Sequence, residues 1–113
     1  MSDLEEPRKG EIWIADLDKR RPVVVLTRDP LGSLLQSVLV APITSRSRML
    51  STEVPIGSAD GINLDSVANF DNMQRISRAK LRNRVGVVST STAERICVAI
   101  AIATGFDDHN HSD

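Results

Sequence analysis

Gly10-Glu11-Ile12-Trp13-Ile14-Ala15-Asp16-Leu17-Asp18-Lys19-Arg20-Arg21-Pro22-Val23-Val24-Val25-Leu26 is the stretch on which the fold turns. After Gly10, the run Glu11 to Leu17 is rich in β-formers and leans apolar on both sides, which predicts a strand. Asp18 to Arg21 is a short polar turn. Pro22 to Leu26 is continuously apolar and bounded by turn signals, the pattern of a strand buried on both faces. Pro22 suits a strand's first position, where a missing donor is tolerated.

Working outward, residues 1–9 read as an exposed arm, and Arg28 to Gly32 as a turn. Ser37 to Ile43 is a third strand, expected to bend or end near Pro42. Thr44 to Arg48 is a polar, basic loop. Thr52 to Ile56 alternates, and Pro55 places it at a sheet edge. After a loop from Gly57 to Asn63 comes a strand from Ser66 to Phe70, continued beyond a kink by Met73 to Ile76. Arg78 to Leu81 makes one helical turn. Arg84 to Val88 is the last strand, with Gly86 marking a bulge or close packing. The end is helical: Ala93, Ile96, Cys97, Ile100 and Ala103 recur at helical spacing, which assigns Cys97 to packing. Gly105 stands where a C-terminal glycine cap belongs. At the other end Ser91 and Glu94 form a capping-box pattern, with Ser89 as the rival cap. Residues 107–113 are polar and read as a disordered acidic tail. Short strands at roughly ten-residue spacing, closed by one helix, predict a mainly β fold, a small barrel with a C-terminal helix.

The 113 residues form a single domain, residues 10–106, at 41% hydrophobic and 26% charged, an ordinary globular composition. No run approaches ~18 apolar residues, so no membrane span is expected. The acidic N-terminus is unlike a secretory leader, and a single cysteine fits a reducing compartment. The cytoplasm is the expected location. The net charge of -1 conceals an uneven distribution. Nine acidic residues and all 14 Lys and Arg lie between Pro7 and Phe106, leaving that body at +5. From Asn72 to Arg84 there are five cations and no acid, which suits a phosphate-bearing partner or a solvated face. Three aromatic residues, Trp13, Phe70 and Phe106, cannot build a site based mainly on stacking. Both histidines, His109 and His111, lie in the tail, so the body has no histidine base and no metal-ligand cluster. No cofactor or metal is expected. Catalysis here would rest on Arg, Thr, Ser, Asn and a carboxylate.

Several segments resemble the MazF/PemK family of toxin endoribonucleases. Lys9 to Leu17 is similar to its GEIW-x-x-DL opening, Arg20-Arg21-Pro22-Val23-Val24-Val25 to its RRPV-x-V strand, and Val40 to Ser45 to its V-x-PIT[ST] element. Thr52-Glu53-Val54-Pro55 matches TEVP. Asp65-Ser66-Val67 and Asp71 to Ile76 resemble DSV…D-[QN]-x-x-x-I, and Leu81 to Val87 the L-x-x-x-[IV]-G strand. Each motif is weak alone; together, in order, they cover Lys9 to Phe106. The resemblance implies an SH3-like barrel of the CcdB/PemK type. It also implies a homodimer, cleavage of single-stranded RNA (mRNA, tRNA or rRNA), and neutralisation by a cognate antitoxin. It places the catalytic arginine at Arg21 and the catalytic threonine at Thr44. Arg20, Ser45, Arg46 and Arg48 flank these positions as candidate RNA contacts, and Asp71 with Asn72 falls on a position some members use. Many members carry a long Gly-rich loop between the first two strands. Here three residues stand in its place, and with the loop goes any acid borne on it.

Chemically, the 2′-hydroxyl of RNA can attack its own phosphorus without a metal, provided the strand is single and can align. Arg21 offers a permanently charged, planar donor fork to the phosphoryl oxygens, supported by the Thr44 hydroxyl. The proton acceptor stays open among Glu53, Asp16 and Asp18. Two alternatives keep the fold without this chemistry: a CcdB-like poison of DNA gyrase, and an RNA-binding module that does not cut.

Overall fold

In the computed structural model, residues 6–28, 36–62 and 65–106 are described. β1 (Glu11–Asp16) and β2 (Arg20–Val25) pair antiparallel, with Trp13 opposite Val23 and Asp16 opposite Arg20. The polar turn between them is closed by the Leu17 N–H donating to the Lys19 carbonyl. β2 then pairs with β3 (Ser37–Thr44), Val23 lying opposite Pro42. The chain continues through β4 (Glu53–Ile56), β5 (Ser66–Asn69), β6 (Gln74–Ser77) and β7 (Leu81–Val87) to helix α1 (Thr90–Thr104). The strand order is β4-β5-β3-β2-β1-β7, with β6 also paired to β3. β4 is the edge strand its proline predicts.

The apolar run of β2 is buried on both faces because each face meets a different core. Val24 packs with Ile12, Ala41, Ile43, Phe70 and the helix residues Ile96 and Ala99. Val23 and Val25, pointing the other way, pack with Trp13, Ala15, Val38, Val40 and Ile76. Each fully buried valine contributes roughly 1.5–3 kcal/mol of apolar transfer.

β3 runs through Pro42 rather than ending there. Its first half pairs with β6, up to Val40 opposite Gln74, and its last residues pair with β5, Ile43 opposite Ala68. Pro42 lies between these two ladders, so its missing N–H interrupts neither. The register slips by three residues between them, and a three-residue 3-10 turn, Phe70–Asn72, takes up the slip. Phe70 turns inward and is buried, while Asp71 and Asn72 are exposed beside β3.

The sequence pattern places the helix over Thr92 to Thr104, and it starts two residues earlier, at Thr90. Ser89 is the cap, its hydroxyl accepting the Thr92 N–H at 3.2 Å, and Ser91 is left outside the capping bond. The reason is Asp60, a buried side chain from the β4–β5 connection that accepts the Ser89 N–H at 2.8 Å and the Gly57 N–H at 3.1 Å. Gly105 closes the helix at φ 82°. Cys97 is exposed rather than packed: the core takes Ile96, Ala99, Ile100 and Ala103, and the cysteine lies just off that stripe, at the rim of an apolar cleft. Gly86 is required by close packing, since a Cβ there would lie 2.2 Å from the Asp60 carbonyl oxygen.

Of the arm, residues 6–9 are described. Pro7 is buried, and the Arg8 N–H donates to Glu11 at 2.9 Å. The turn at 29–32, Asn63, and the tail 107–113 with His109 and His111 lie outside the described residues. Among the described residues, no helix is long and apolar enough to cross a membrane.

Candidate active site

Arg21 lies two residues before Val23 on β2 and so projects to the same face, at the open end of the Trp13 core. Thr44 ends β3 on the face of Val40 and Pro42. Carrying the β2–β3 register two residues past Val23 and Pro42 sets Arg21 across from Thr44. Both side chains line one cavity of about 590 Å³, together with Arg46, Arg48, Asp71 and Asn72. An adjoining cavity of about 600 Å³, reaching Leu17, Asp18 and Gln74, shares Arg21, Pro42, Asp71 and Asn72 with the first. The two form a continuous depression with Arg21 at its centre. The register slip in β3's partners is what brings Asp71 and Asn72 there.

The Arg21 side chain is 25% exposed. Its terminal nitrogen lies 3.6 Å from Asp18 Oδ1, whose side chain is 80% exposed. Such a solvated pair is weak, so the cation is not sealed in an internal salt bridge. The short turn itself presents an acid, Asp18, beside Arg21. Arg21 Nε is buried without a partner, the one such side-chain nitrogen or oxygen among the described residues. Leaving such a donor unsatisfied costs on the order of 1–3 kcal/mol. Thr44 Oγ1 accepts the Arg46 N–H at 3.1 Å, which leaves the hydroxyl hydrogen for another acceptor. Asp71 is fixed twice: Thr52 Oγ1 donates to its Oδ2 at 2.7 Å, and its own N–H donates to Asn69 Oδ1 at 2.9 Å.

Two expected contacts are not brought into the depression. Arg20 pairs with Asp16 at 3.1 Å, and Asp16 also meets Arg82 at 3.3 Å. Ser45 is exposed but does not line either cavity. The basic window from Asn72 to Arg84 is likewise divided. Arg82 and Arg84 face β1 carboxylates, Arg84 meeting Glu11 at 2.9 Å, and the cations of that window line neither cavity. What sequence reasoning missed is the bracing of the site: Thr52 behind Asp71, and Glu53 beneath the arginine loop. Both lie in the Thr-Glu-Val-Pro motif: Thr52 is buried and reaches Asp71, Glu53 collects the donors of the loop, and Val54 packs in the core. Among the described residues no cluster of three His, Cys, Asp or Glu side chains is arranged to hold a metal.

The family model for PemK-like, MazF-like toxins of type II toxin-antitoxin systems matches residues 8–104. The chain belongs to this toxin family. It is 43% identical over 96 residues to endoribonuclease MazF3 of Mycobacterium tuberculosis, covering 85% of this chain and 91% of that one. The solved M. tuberculosis toxin MazF-mt6 superposes with a TM-score of 0.81 at 41% identity, covering 84% of this chain and 96% of that one. A mycobacterial endoribonuclease in complex with its cognate antitoxin superposes at 0.81 with 25% identity, covering 88% and 95%. This MazF-like toxin therefore shares their antiparallel sheet and closing helix.

Proposed function

We propose that this toxin is a metal-independent, sequence-specific endoribonuclease that cuts single-stranded RNA and so stops translation and growth until a cognate antitoxin covers it. The observation that carries this reading is the meeting of Arg21 and Thr44 on one open depression, with the guanidinium held but not neutralised. The 2′-oxygen attacks the adjacent phosphorus and loses its proton. The bond from phosphorus to the 5′-oxygen breaks, and that oxygen takes up a proton. The products are a 2′,3′-cyclic phosphate and a 5′-hydroxyl. Arg21 stabilises the charge that builds on the phosphoryl oxygens, and Thr44 donates its free hydroxyl hydrogen to them. A guanidinium is too weak a base to take the 2′-proton. Asp18 and Asp71 are the carboxylates of the depression that keep acceptor capacity for it. Arg46, Arg48 and Asn72 contact the strand on either side. The endoribonuclease activity of the mycobacterial relatives and the antitoxin-bound neighbour support the substrate and the inhibitor. An acidic antitoxin segment that orders on binding suits the same basic depression, and the cytoplasm is where substrate and inhibitor would meet it.

The test is cleavage of single-stranded RNA by purified protein in EDTA. Cutting persists in EDTA, and Arg21→Ala lowers kcat by a factor of ~10²–10³, the usual cost of removing one such donor. Growth arrest with intact RNA and trapped gyrase would replace this reading with a CcdB-like one. Tight RNA binding without cutting would reduce it to a binding module.

A further inference from the structure

The loop between β3 and β4 is gathered around one carboxylate. Glu53 accepts the Ser47 hydroxyl at 2.8 Å, the Arg48 N–H at 3.1 and 3.0 Å on its two oxygens, and the Leu50 N–H at 3.4 Å. Ser47 Oγ in turn accepts the Met49 N–H at 3.0 Å. Turning these donors toward one side chain forces Met49 into the left-handed region, at φ 58°, the one non-glycine residue so placed among the described residues. Desolvation pushes the Glu53 carboxyl upward, but its hydrogen bonds to Arg48, Ser47, Leu50 and Met49 outweigh this, so it ionises below its ordinary range. Arg48, held through its N–H, and Arg46, two residues before it with its own N–H on Thr44 Oγ1, line the depression with Arg21 and Thr44. A carboxylate inside a basic groove for RNA is an electrostatic liability unless it does something else there.

We infer that Glu53 is a positioning residue for substrate: its carboxylate clasps the β3–β4 loop so that Arg46 and Arg48 face the RNA backbone already ordered. This rests on the reading of the depression as an RNA site. It makes a prediction whose sign is opposite to simple Coulomb attraction. Deleting an acid from a cation-lined groove should tighten RNA binding. Deleting the clasp should weaken it, because two guanidinium side chains and their loop must then be ordered at the moment of binding.

The experiment measures binding of a 2′-O-methyl oligoribonucleotide, which lacks the attacking hydroxyl, across a range of salt. Wild type, Glu53→Ala, Glu53→Gln, Arg46→Ala/Arg48→Ala and the combined triple variant are compared, and cleavage of ordinary RNA is followed in parallel. Glu53→Ala binds about tenfold more weakly, and its salt slope falls by up to ~0.7 for each phosphate that is no longer neutralised. Its KM rises while kcat stays near wild type. Glu53→Gln, which keeps one acceptor oxygen, recovers part of the affinity. In the Arg46→Ala/Arg48→Ala background the Glu53→Ala change has no further effect. Tighter or unchanged binding by Glu53→Ala overturns the inference even where RNA is cut normally. So does an undiminished loss in the double-arginine background, which would mark a general structural defect. Wild type that neither binds nor cuts RNA overturns the parent reading and this inference together, whereas binding without cutting overturns the cleavage step alone.

Discussion

Asp60 shows how much one side chain does that composition hides. It is 3% exposed and holds the Gly57 turn and the first N–H of the helix cap at once. Desolvation raises its pKa, but the hydrogen bonds to Ser89, Gly57 and Thr92 outweigh that, so the group ionises below its ordinary value in the folded chain. A depressed folded pKa contributes stability that is fully present above the unfolded value of ~3.9 and is lost as pH falls through the folded one. Melting temperature should therefore drop steeply below about pH 4 in the native protein. Asp60→Asn, already destabilised at neutral pH, should show a shallower acid limb; Glu53 is also depressed, so some acid dependence remains. Equal acid limbs for the two proteins would contradict this. The placing of Arg21 and Thr44 on one depression follows from motifs that set Arg21 near the start of β2 and Thr44 at the end of its partner β3. The role of Asp60 was not legible in the sequence, because its partner at Ser89 lies 29 residues away and an acid among Gly and Ser looks solvated. Glu53 stood among the candidate bases for its charge, while the donors it collects could not be read from the sequence.

At the level of elements, the strands were legible wherever burial fell on both faces or strictly on one, as in β1 and β2. The joints were not. β3 was expected to bend or end near Pro42, and the sequence carried no sign that the strand changes neighbours there. The helix was found by its period, but the stripe drawn from that period was wider than the face that packs, which is how Cys97 came to be counted inside. Ser91, with Glu94 three residues on, offered the fuller local signal for the cap, and it is the distant carboxylate that favours Ser89. Ser89→Ala should cost ~1 kcal/mol, within the 0.5–2 range for a lost cap, and Ser91→Ala a few tenths at most. Urea unfolding of the two variants separates them, and equal losses would contradict the assignment.

The whole molecule joins two cores through one sheet, and both stop short of covering its apolar surface. Val87, Val98 and Phe106 remain exposed at 56%, 60% and 82%. A domain of this size buries a modest fraction of its surface, so association of two copies would add burial that one chain lacks. Light scattering at micromolar concentration should give the mass of a dimer, and a monomer mass would count against it.

The three-residue slip at Phe70–Asn72 has a consequence for how such a toxin diverges. Phe70 anchors the turn from within and the Thr52 hydroxyl ties Asp71 to it, so the turn holds its place while Asn72 stands exposed at the groove. On the proposed reading of the groove, Asn72→Ala should change which bases are preferred at the cut while the melting temperature stays near that of the native protein. Cutting preference and foldedness would then vary as separate traits on one scaffold.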